Sequence, residues 1–216
     1  MNIQGIIFDA DGTLLDSMEF WDNTVYDLLA EFGVAAEDDL IKILTPMSMY
    51  EGAVYLKNKY SLDVSPEEFI ERENRIVERF YSQSVKLKRG VKELLLKLSE
   101  MNIPMSVASA TDRDLIEHAL RCNGILDFFK AIVSCSDVGE GKSSPAVYHK
   151  ARSYLGTTVS ATAVIEDSPK ALNTAKQAGY ITVGAYDKAH SEMSYEDICD
   201  VWLGNEFKIE KITQLL

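Results

Sequence analysis

The feature that most constrains this chain is a short apolar run near the N-terminus that ends in two aspartates. Residues 3–8 read Ile-Gln-Gly-Ile-Ile-Phe and are followed by Asp9 and, two residues later, Asp11. A short β-branched and aromatic run is typical of a strand buried on both faces of a parallel sheet. The two acids would then lie at the carboxyl end of that strand, where open α/β sheets bind ligands. Together they could hold a hard cation through side-chain and backbone oxygens.

Two other structures share the Asp-x-Asp-Gly spacing. A simple Asp-Gly turn after a strand is common, and Gly12 would suit it because glycine tolerates a sharp turn. The calcium loop of an EF-hand also begins in this way, but it needs further oxygen ligands, and this chain has Leu14 and Leu15 in the middle of the loop. We therefore predict a catalytic loop.

The charge balance limits the partners of the protein. The 216 residues include 34 acidic and 22 basic side chains, which gives a net charge of −12. Such a charge disfavours nucleic acid and anionic membranes, and an anionic substrate would need a local positive site. The three cysteines have neither metal-binding nor disulfide spacing, as expected in a reducing cytosol. Without a basic leader or a run of transmembrane length, we expect a cytoplasmic protein, acting as a monomer.

Residues 17–88 have helical periodicity and show no good strand. Two helix starts in this block are marked by Ser48 and Ser65, which stand at the positions of N-capping residues. A helical block after a single strand is typical of a small bundle inserted into another domain. We predict a helical cap at 17–88 and a catalytic core formed by 1–16 and 89–216.

From residue 90 onwards, helical and strand patterns alternate. Apolar runs predict strands at 105–109, 131–135, 162–165 and 181–183, with a less clear last strand at 201–203. Such alternation forms right-handed βαβ units, in which helices cover both faces of a parallel sheet. The predicted fold is a doubly wound, Rossmann-like α/β core.

Chemically useful residues follow the inner strands of this sheet. They are Ser109 and Ala110 before a helix expected to be capped by Thr111, then Lys142, and then Glu166 and Asp167. The carboxyl ends of parallel strands meet at one edge, so we expect these residues to lie beside Asp9 and Asp11. Carboxylates suit Mg²⁺, which often binds phosphate at the same time, and a lysine with helix amides suits the remaining phosphate oxygens. One carboxylate could be a nucleophile and a second a general acid and base.

Residues 8–17, Phe-Asp-Ala-Asp-Gly-Thr-Leu-Leu-Asp-Ser, resemble the first motif of the haloacid dehalogenase superfamily. Ser109 resembles the second motif, Lys142 after Gly141 the third, and residues 165–168, Ile-Glu-Asp-Ser, the fourth. The motifs lie in the order of the family, each after a predicted strand. The predicted cap resembles the α-helical cap of the group that contains phosphoglycolate phosphatase and β-phosphoglucomutase. The third motif departs from the usual pattern at Ser143, where proline is common.

The resemblance implies a Mg²⁺-dependent phosphatase that acts on a small phosphorylated metabolite, such as a sugar phosphate. It makes Asp9 the nucleophile and Asp11 the general acid and base. The phosphoryl group would be bound by Ser109, Ala110 and Lys142. Mg²⁺ would be held by Asp9, the backbone carbonyl of Asp11 and Asp167, with Glu166 in or beside its coordination shell.

A phosphohexomutase is the main alternative to a phosphatase. β-Phosphoglucomutase carries a histidine shortly after the first motif, and Trp21 occupies the matching position here. An indole cannot exchange a proton as an imidazole does. The mutase also tends to have valine where this chain has Thr13. Both differences favour water as the final acceptor.

Two further alternatives have weaker support. A binding module without catalysis is disfavoured because every catalytic residue of the motifs is present, although a fold alone does not give function. Residues 139–143, Gly-Glu-Gly-Lys-Ser, could belong to a nucleotide-binding phosphate loop, but Ser136 stands where such a loop requires glycine.

Two polar residues interrupt an apolar stripe of the predicted cap. Glu73 and Asn74 fall between Phe69 and Val77. A partly exposed helix face is the expected explanation, and a contact with the substrate is the alternative.

Overall fold

The core is one parallel sheet. The computed structural model describes residues 2–37, 39–44, 46–190, 195, 198–204 and 211–212. Within them the strands are β1 (Gly5–Phe8), β2 (Met105–Ser109), β3 (Phe129–Ser134), β4 (Thr162–Glu166), β5 (Ile181–Ala185) and β6 (Val201–Gly204). They pair in the order β3-β2-β1-β4-β5-β6. The predicted α/β fold class is confirmed, and β3 begins two residues before its predicted start.

Helices lie between the strands. The described α-helices are α1 (Met18–Glu31), α2 (Leu40–Leu44), α3 (Met49–Tyr60), α4 (Pro66–Gln83), α5 (Val91–Glu100), α6 (Arg113–Cys122), α7 (Ala146–Ser153) and α8 (Pro169–Gln177). In the part of the chain that the structure describes, none of them is both long and apolar enough to cross a membrane. The cytoplasmic location and the monomeric state stay predictions.

Alternate residues of β1 pack on opposite faces of the sheet. Ile6 and Phe8 join a cluster that contains the buried faces of α5 and α6. Ile7 joins a second cluster with residues of α7 and α8. Side chains of a strand alternate between faces, so a strand covered on both sides must be apolar throughout, as this one is.

Helices α1 to α4 lie between β1 and β2 in the chain. The Ser48 side chain accepts a hydrogen bond from the Glu51 amide at 3.2 Å, and the Glu51 carboxylate accepts one from the Ser48 amide at 2.8 Å. The Ser65 side chain accepts a hydrogen bond from the Glu68 amide at the start of α4. These helices bury a cluster of their own, formed by Val25, Leu28, Leu29, Leu40, Ala53, Leu56, Leu62, Val64 and Phe69. The division into a core and a cap at 17–88 stays a prediction.

Candidate active site

The register of the sheet brings the motif residues together. Phe8 of β1 lies opposite Val107 of β2 and Ile165 of β4. The chain therefore leaves all three strands at one edge, and Asp9 donates its amide to the Ile165 carbonyl at 2.9 Å. The predicted site residues all line one cavity of about 120 Å³ at this edge: Asp9, Asp11, Ser109, Ala110, Lys142, Glu166 and Asp167.

Three buried carboxylates lie close together in this cavity, and two of them share one ammonium group. Carboxylate oxygens of Asp9, Glu166 and Asp167 lie within 4.8 Å of one another. Lys142 is also buried, and its Nζ donates to Asp9 Oδ1 and, at 2.5 Å, to Glu166 Oε1. This contact disagrees with a phosphate loop at 139–143, because the lysine is held by two acids of the sheet edge.

The electrostatics show a shortage of positive charge. Burial and, to a smaller extent, the charge of Glu166 raise the pKa of Asp9 to about 7, although Lys142 opposes both effects. Burial and the charge of Asp9 also raise the pKa of Asp167. Burial lowers the pKa of Lys142, but Asp9 and Glu166 outweigh it and hold that pKa above its ordinary value. The Lys142 ammonium is therefore held in its charged form. Lys88 also lowers the pKa of Asp167 but is itself paired with Asp187, so the three buried carboxylates are not neutralised.

This donor set fits a hard divalent cation. The potential ligand atoms are carboxylate oxygens, which Mg²⁺ prefers. Among the described residues, the group contains none of the nitrogen or sulfur ligands that softer metals select. Glu166 is already held by protein donors: Oε1 accepts from Lys142 and from Tyr148 at 3.2 Å, and Oε2 accepts from the Ser168 amide at 3.1 Å. The geometry thus favours a place for Glu166 beside the metal shell.

Gly12 lets the first and fourth motifs approach closely. Its φ is +81°, and a Cβ added there would lie 2.3 Å from Asp167 Oδ2. The neighbouring Thr13 donates its hydroxyl to Asp167 Oδ1 at 3.1 Å. A residue with a side chain would be strained by the backbone angle and would displace the carboxylate.

Asp11 is held by three hydroxyl groups from separate parts of the chain. Its Oδ1 accepts from Ser17 at 2.7 Å and from Tyr81 at 2.5 Å, and its Oδ2 accepts from Thr111 at 2.9 Å. The expectation that Thr111 caps a helix is wrong, since α6 begins at Arg113 after Asp112. Its hydroxyl is instead turned towards Asp11.

Sequence reasoning missed Tyr81 and Lys88 as site residues. Tyr81 reaches Asp11 from α4, and nothing in its apolar stripe distinguishes it from an ordinary buried aromatic residue. Lys88 donates to the carbonyls of Gly12 at 2.6 Å and Tyr186 at 2.5 Å, and it pairs with Asp187 at 2.8 Å. In the sequence, Lys88 was notable only for its position at the end of the predicted cap, and this position does not indicate which groups it contacts.

The opposite wall of the cavity comes from α1 to α4 and is mostly apolar. Trp21, Met47 and Phe69 belong to it, together with Glu73. The expectation of a partly exposed face at Glu73 is wrong, because its side chain is only 7% exposed. α4 turns this position inward together with the apolar residues of the stripe.

Comparison with known proteins finds a matching family and several relatives of this chain. The sequence profile of the haloacid dehalogenase-like hydrolases matches residues 6–185. Validoxylamine A 7'-phosphate phosphatase of Streptomyces hygroscopicus is 37% identical over 95 residues, 44% of this chain and 45% of that protein. A phosphorylated carbohydrates phosphatase of Thermotoga maritima is 25% identical over 88% of this chain and 87% of its own length. β-Phosphoglucomutase of Bacillus subtilis is 27% identical over 84% of this chain and 83% of its own length.

A solved structure shares the whole fold. CbbY of Rhodobacter sphaeroides in complex with phosphate superposes with a TM-score of 0.83 at 20% identity, over 95% of each chain. The profile covers most of the chain, from β1 to β5, and so includes every predicted motif. The chain therefore belongs to the haloacid dehalogenase-like hydrolases, in the group of β-phosphoglucomutase and phosphoglycolate phosphatase, and the prediction of an enzyme of this family is confirmed.

Proposed function

We propose that this protein is a Mg²⁺-dependent phosphatase that hydrolyses a small phosphomonoester through an aspartyl-phosphate. The observation that carries the proposal is the group of Asp9, Glu166 and Asp167 around the buried ammonium of Lys142. A carboxylate nucleophile must meet an anionic phosphate, and this arrangement provides one ammonium together with carboxylates that could hold a divalent cation beside it.

The first half of the reaction forms the covalent intermediate. A carboxylate oxygen of Asp9 attacks phosphorus, the bond from phosphorus to the alcohol oxygen breaks, and Asp11 gives its proton to the departing alkoxide. Lys142, Ser109 and the amide of Ala110 bind the phosphoryl oxygens. When bound, Mg²⁺ would be held by Asp9, the Asp11 carbonyl and Asp167, and would supply positive charge to the phosphate.

The second half returns the enzyme to its starting state. Asp11 takes a proton from a water molecule, the water oxygen attacks phosphorus, and the bond to Asp9 breaks to release inorganic phosphate. Ser17, Tyr81 and Thr111 keep the Asp11 carboxylate oriented for both proton transfers. Glu166 holds Lys142 in place beside Asp9.

The proposal includes a cap at 17–88 that opens for the substrate and closes for the transfer of the phosphoryl group. The contact around Gly141 supports it. A Cβ at Gly141 would lie 2.6 Å from the Pro46 carbonyl and 2.9 Å from Met47 Cα. The loop that carries Lys142 therefore touches the loop between α2 and α3 at close range, as a closed cap requires.

Sugar phosphates and similar phosphomonoesters are the first substrates to test. The Thermotoga maritima relative is named for phosphorylated carbohydrates. Mutase activity is the second candidate, and the similarity to β-phosphoglucomutase favours it. Trp21 argues for hydrolysis, since it lines the cavity where the mutase has a histidine and cannot exchange a proton.

Release of inorganic phosphate from a panel of phosphomonoesters, with Mg²⁺ and with EDTA, tests the proposal. We expect turnover that EDTA abolishes and Mg²⁺ restores. Absence of Mg²⁺-dependent turnover on the whole panel would favour a binding module. With β-glucose 1-phosphate and a trace of the bisphosphate, rapid formation of glucose 6-phosphate without free phosphate would show a mutase.

A further inference from the structure

Glu73 is a buried acid that the proposed chemistry does not use. Phe69, Glu73, Val77 and Tyr81 are the buried residues of α4, each one helical turn from the next. The carboxylate thus stands where the stripe calls for an apolar side chain. Among the described residues it makes no hydrogen bond and no ion pair, and its electrostatic neighbour is another acid, Asp112.

The carboxylate faces the cavity from the side opposite Asp9. On this wall the lining side chains are apolar apart from Ser48 and Glu73. The Ser48 hydroxyl already accepts the Glu51 amide in the cap of α3. A sugar with several hydroxyls would leave most of them without partners here, at about 1–3 kcal/mol for each buried group.

The charge at the cavity also favours a cationic group, and disfavours an anionic one, on the alcohol part of the substrate. Mg²⁺ and a phosphate dianion cancel one another, and Lys142 is the only basic residue among the described side chains that line the cavity. The other ionisable side chains that line the cavity are carboxylic acids. The part of the substrate that lies beyond the phosphate therefore meets a negative field with low-dielectric walls.

We propose that Glu73 binds a cationic nitrogen on the alcohol part of the substrate, which is a phosphomonoester of an amino alcohol or quaternary ammonium alcohol. This inference rests on the proposed phosphatase function and names its substrate class. The apolar wall receives the carbon skeleton. Trp21 and Phe69 line the same wall, and aromatic faces attract such cations.

The electrostatics of Glu73 agree with this role. Burial, with the nearby charge of Asp112, raises the pKa of Glu73 to about 7. A buried acid without a partner is a cost to the folded protein, and a cation bound beside it would remove that cost. A cation would therefore supply the partner that the Glu73 carboxylate does not have among the described residues.

A matched pair of substrates tests the proposal directly. Phosphocholine and 3,3-dimethylbutyl phosphate have nearly the same shape, but only the first carries a positive charge. Glucosamine 6-phosphate and glucose 6-phosphate form a second pair. We expect wild-type kcat/KM to favour the charged member of at least one pair by about 30-fold, a typical effect of one desolvated charge pair.

Glu73→Gln keeps the shape of the side chain and removes its charge. We expect this variant to lose most of the preference, measured as the ratio of kcat/KM between the two members of a pair. Glu78→Gln, on an exposed position of the same helix, is the control and should keep the wild-type ratio. Equal kcat/KM for both members of both pairs, or an unchanged preference in Glu73→Gln, would overturn the proposal.

Binding of the free alcohols separates this inference from the phosphatase proposal. Choline and 3,3-dimethylbutan-1-ol need no catalysis, and their affinities with Mg²⁺ and inorganic phosphate present can be measured by calorimetry. Preferential binding of choline that Glu73→Gln abolishes supports the cation site even if no phosphoester is hydrolysed. Equal binding of the two alcohols overturns it even if the protein is an active phosphatase.

Discussion

The two walls of the cavity are built on different principles. The wall at the sheet edge is a dense polar network in which Asp9, Asp11 and Glu166 each have named donors. The wall from α1 to α4 is apolar and contains one buried carboxylate, Glu73, without a hydrogen bond to any described residue. In the first wall these hydrogen bonds are in place before any substrate arrives, whereas Glu73 of the second wall would gain a partner only from a ligand.

In the proposed function, the wall at the sheet edge carries out the chemistry, and the wall from α1 to α4 selects the substrate. A phosphoryl group is the same in every substrate, so the groups that bind it can be fixed by protein hydrogen bonds in advance. The alcohol part differs between substrates, and the residues that face it remain free to differ as well. We therefore expect substitutions at the sheet edge to reduce all activities and substitutions at the opposite wall to change their ratios.

The largest effect is expected at Asp9. Asp9→Asn removes the carboxylate nucleophile and should lower kcat by about 10⁴-fold or more, as loss of a covalent catalyst generally does. Phosphate release under single-turnover conditions measures it. The exposed Asp63→Asn is the control. Near-normal turnover of Asp9→Asn on any substrate would contradict the assigned mechanism.

The next effect tests the close approach at Gly12. Gly12→Ala places a Cβ 2.3 Å from Asp167 Oδ2, so the carboxylate must move, and we expect kcat/KM to fall by about 100-fold. Gly33→Ala is a matched control, because Gly33 has a similar φ of +72° but open space around it. Both variants should lose about 1–2 kcal/mol of stability from the backbone angle, while Gly33→Ala keeps its activity. Equal activity of the two variants would contradict the role of the contact.

A third effect is a pH-dependent stability at Glu73. Its pKa is about 7 in the folded protein and 4.5 ordinarily, so between these values the folded state binds more protons than the unfolded state. The free energy of unfolding of the wild type should therefore fall relative to Glu73→Gln as the pH rises from about 4.5 to about 7, by about 3 kcal/mol.

Urea unfolding of the two proteins at pH 5 and pH 8 measures this difference. The difference between the wild type and Glu73→Gln should be smaller at pH 5, where the carboxyl is protonated in the folded state and ionisation of the unfolded state has only begun to lower the stability. The wild type should be less stable at pH 8. The same difference at both values would mean that Glu73 is solvated or paired in the folded protein.

The smallest expected effect concerns Tyr81, which lies on α4 and contacts Asp11 at the sheet edge. Tyr81→Phe removes the hydroxyl that α4 offers to Asp11 at 2.5 Å and should lower kcat about tenfold with little change in KM. The exposed Tyr154→Phe should not alter either constant. A change in KM alone would place Tyr81 in substrate binding and weaken the distinction between the two walls.

The sequence by itself determined the fold class and the residues of the sheet edge. The strand that precedes Asp9 could be predicted because a strand buried on both faces must be apolar throughout. Ser109, Lys142 and Glu166 could be grouped because parallel strands end at a common edge. The N-cap of α3 was predicted at Ser48 because capping depends on residues three positions apart.

Only the tertiary structure decided which distant side chains complete the site. Tyr81 and Thr111 reach Asp11 across 70 and 100 positions of the chain, and no local pattern encodes such a meeting. Glu73 was expected on a partly exposed helix face, and charged residues are rarely buried fully. Helix packing overrides this preference, because the rotation of α4 is set by its neighbouring apolar residues, and Glu73 is carried inward with them to the wall that faces the substrate.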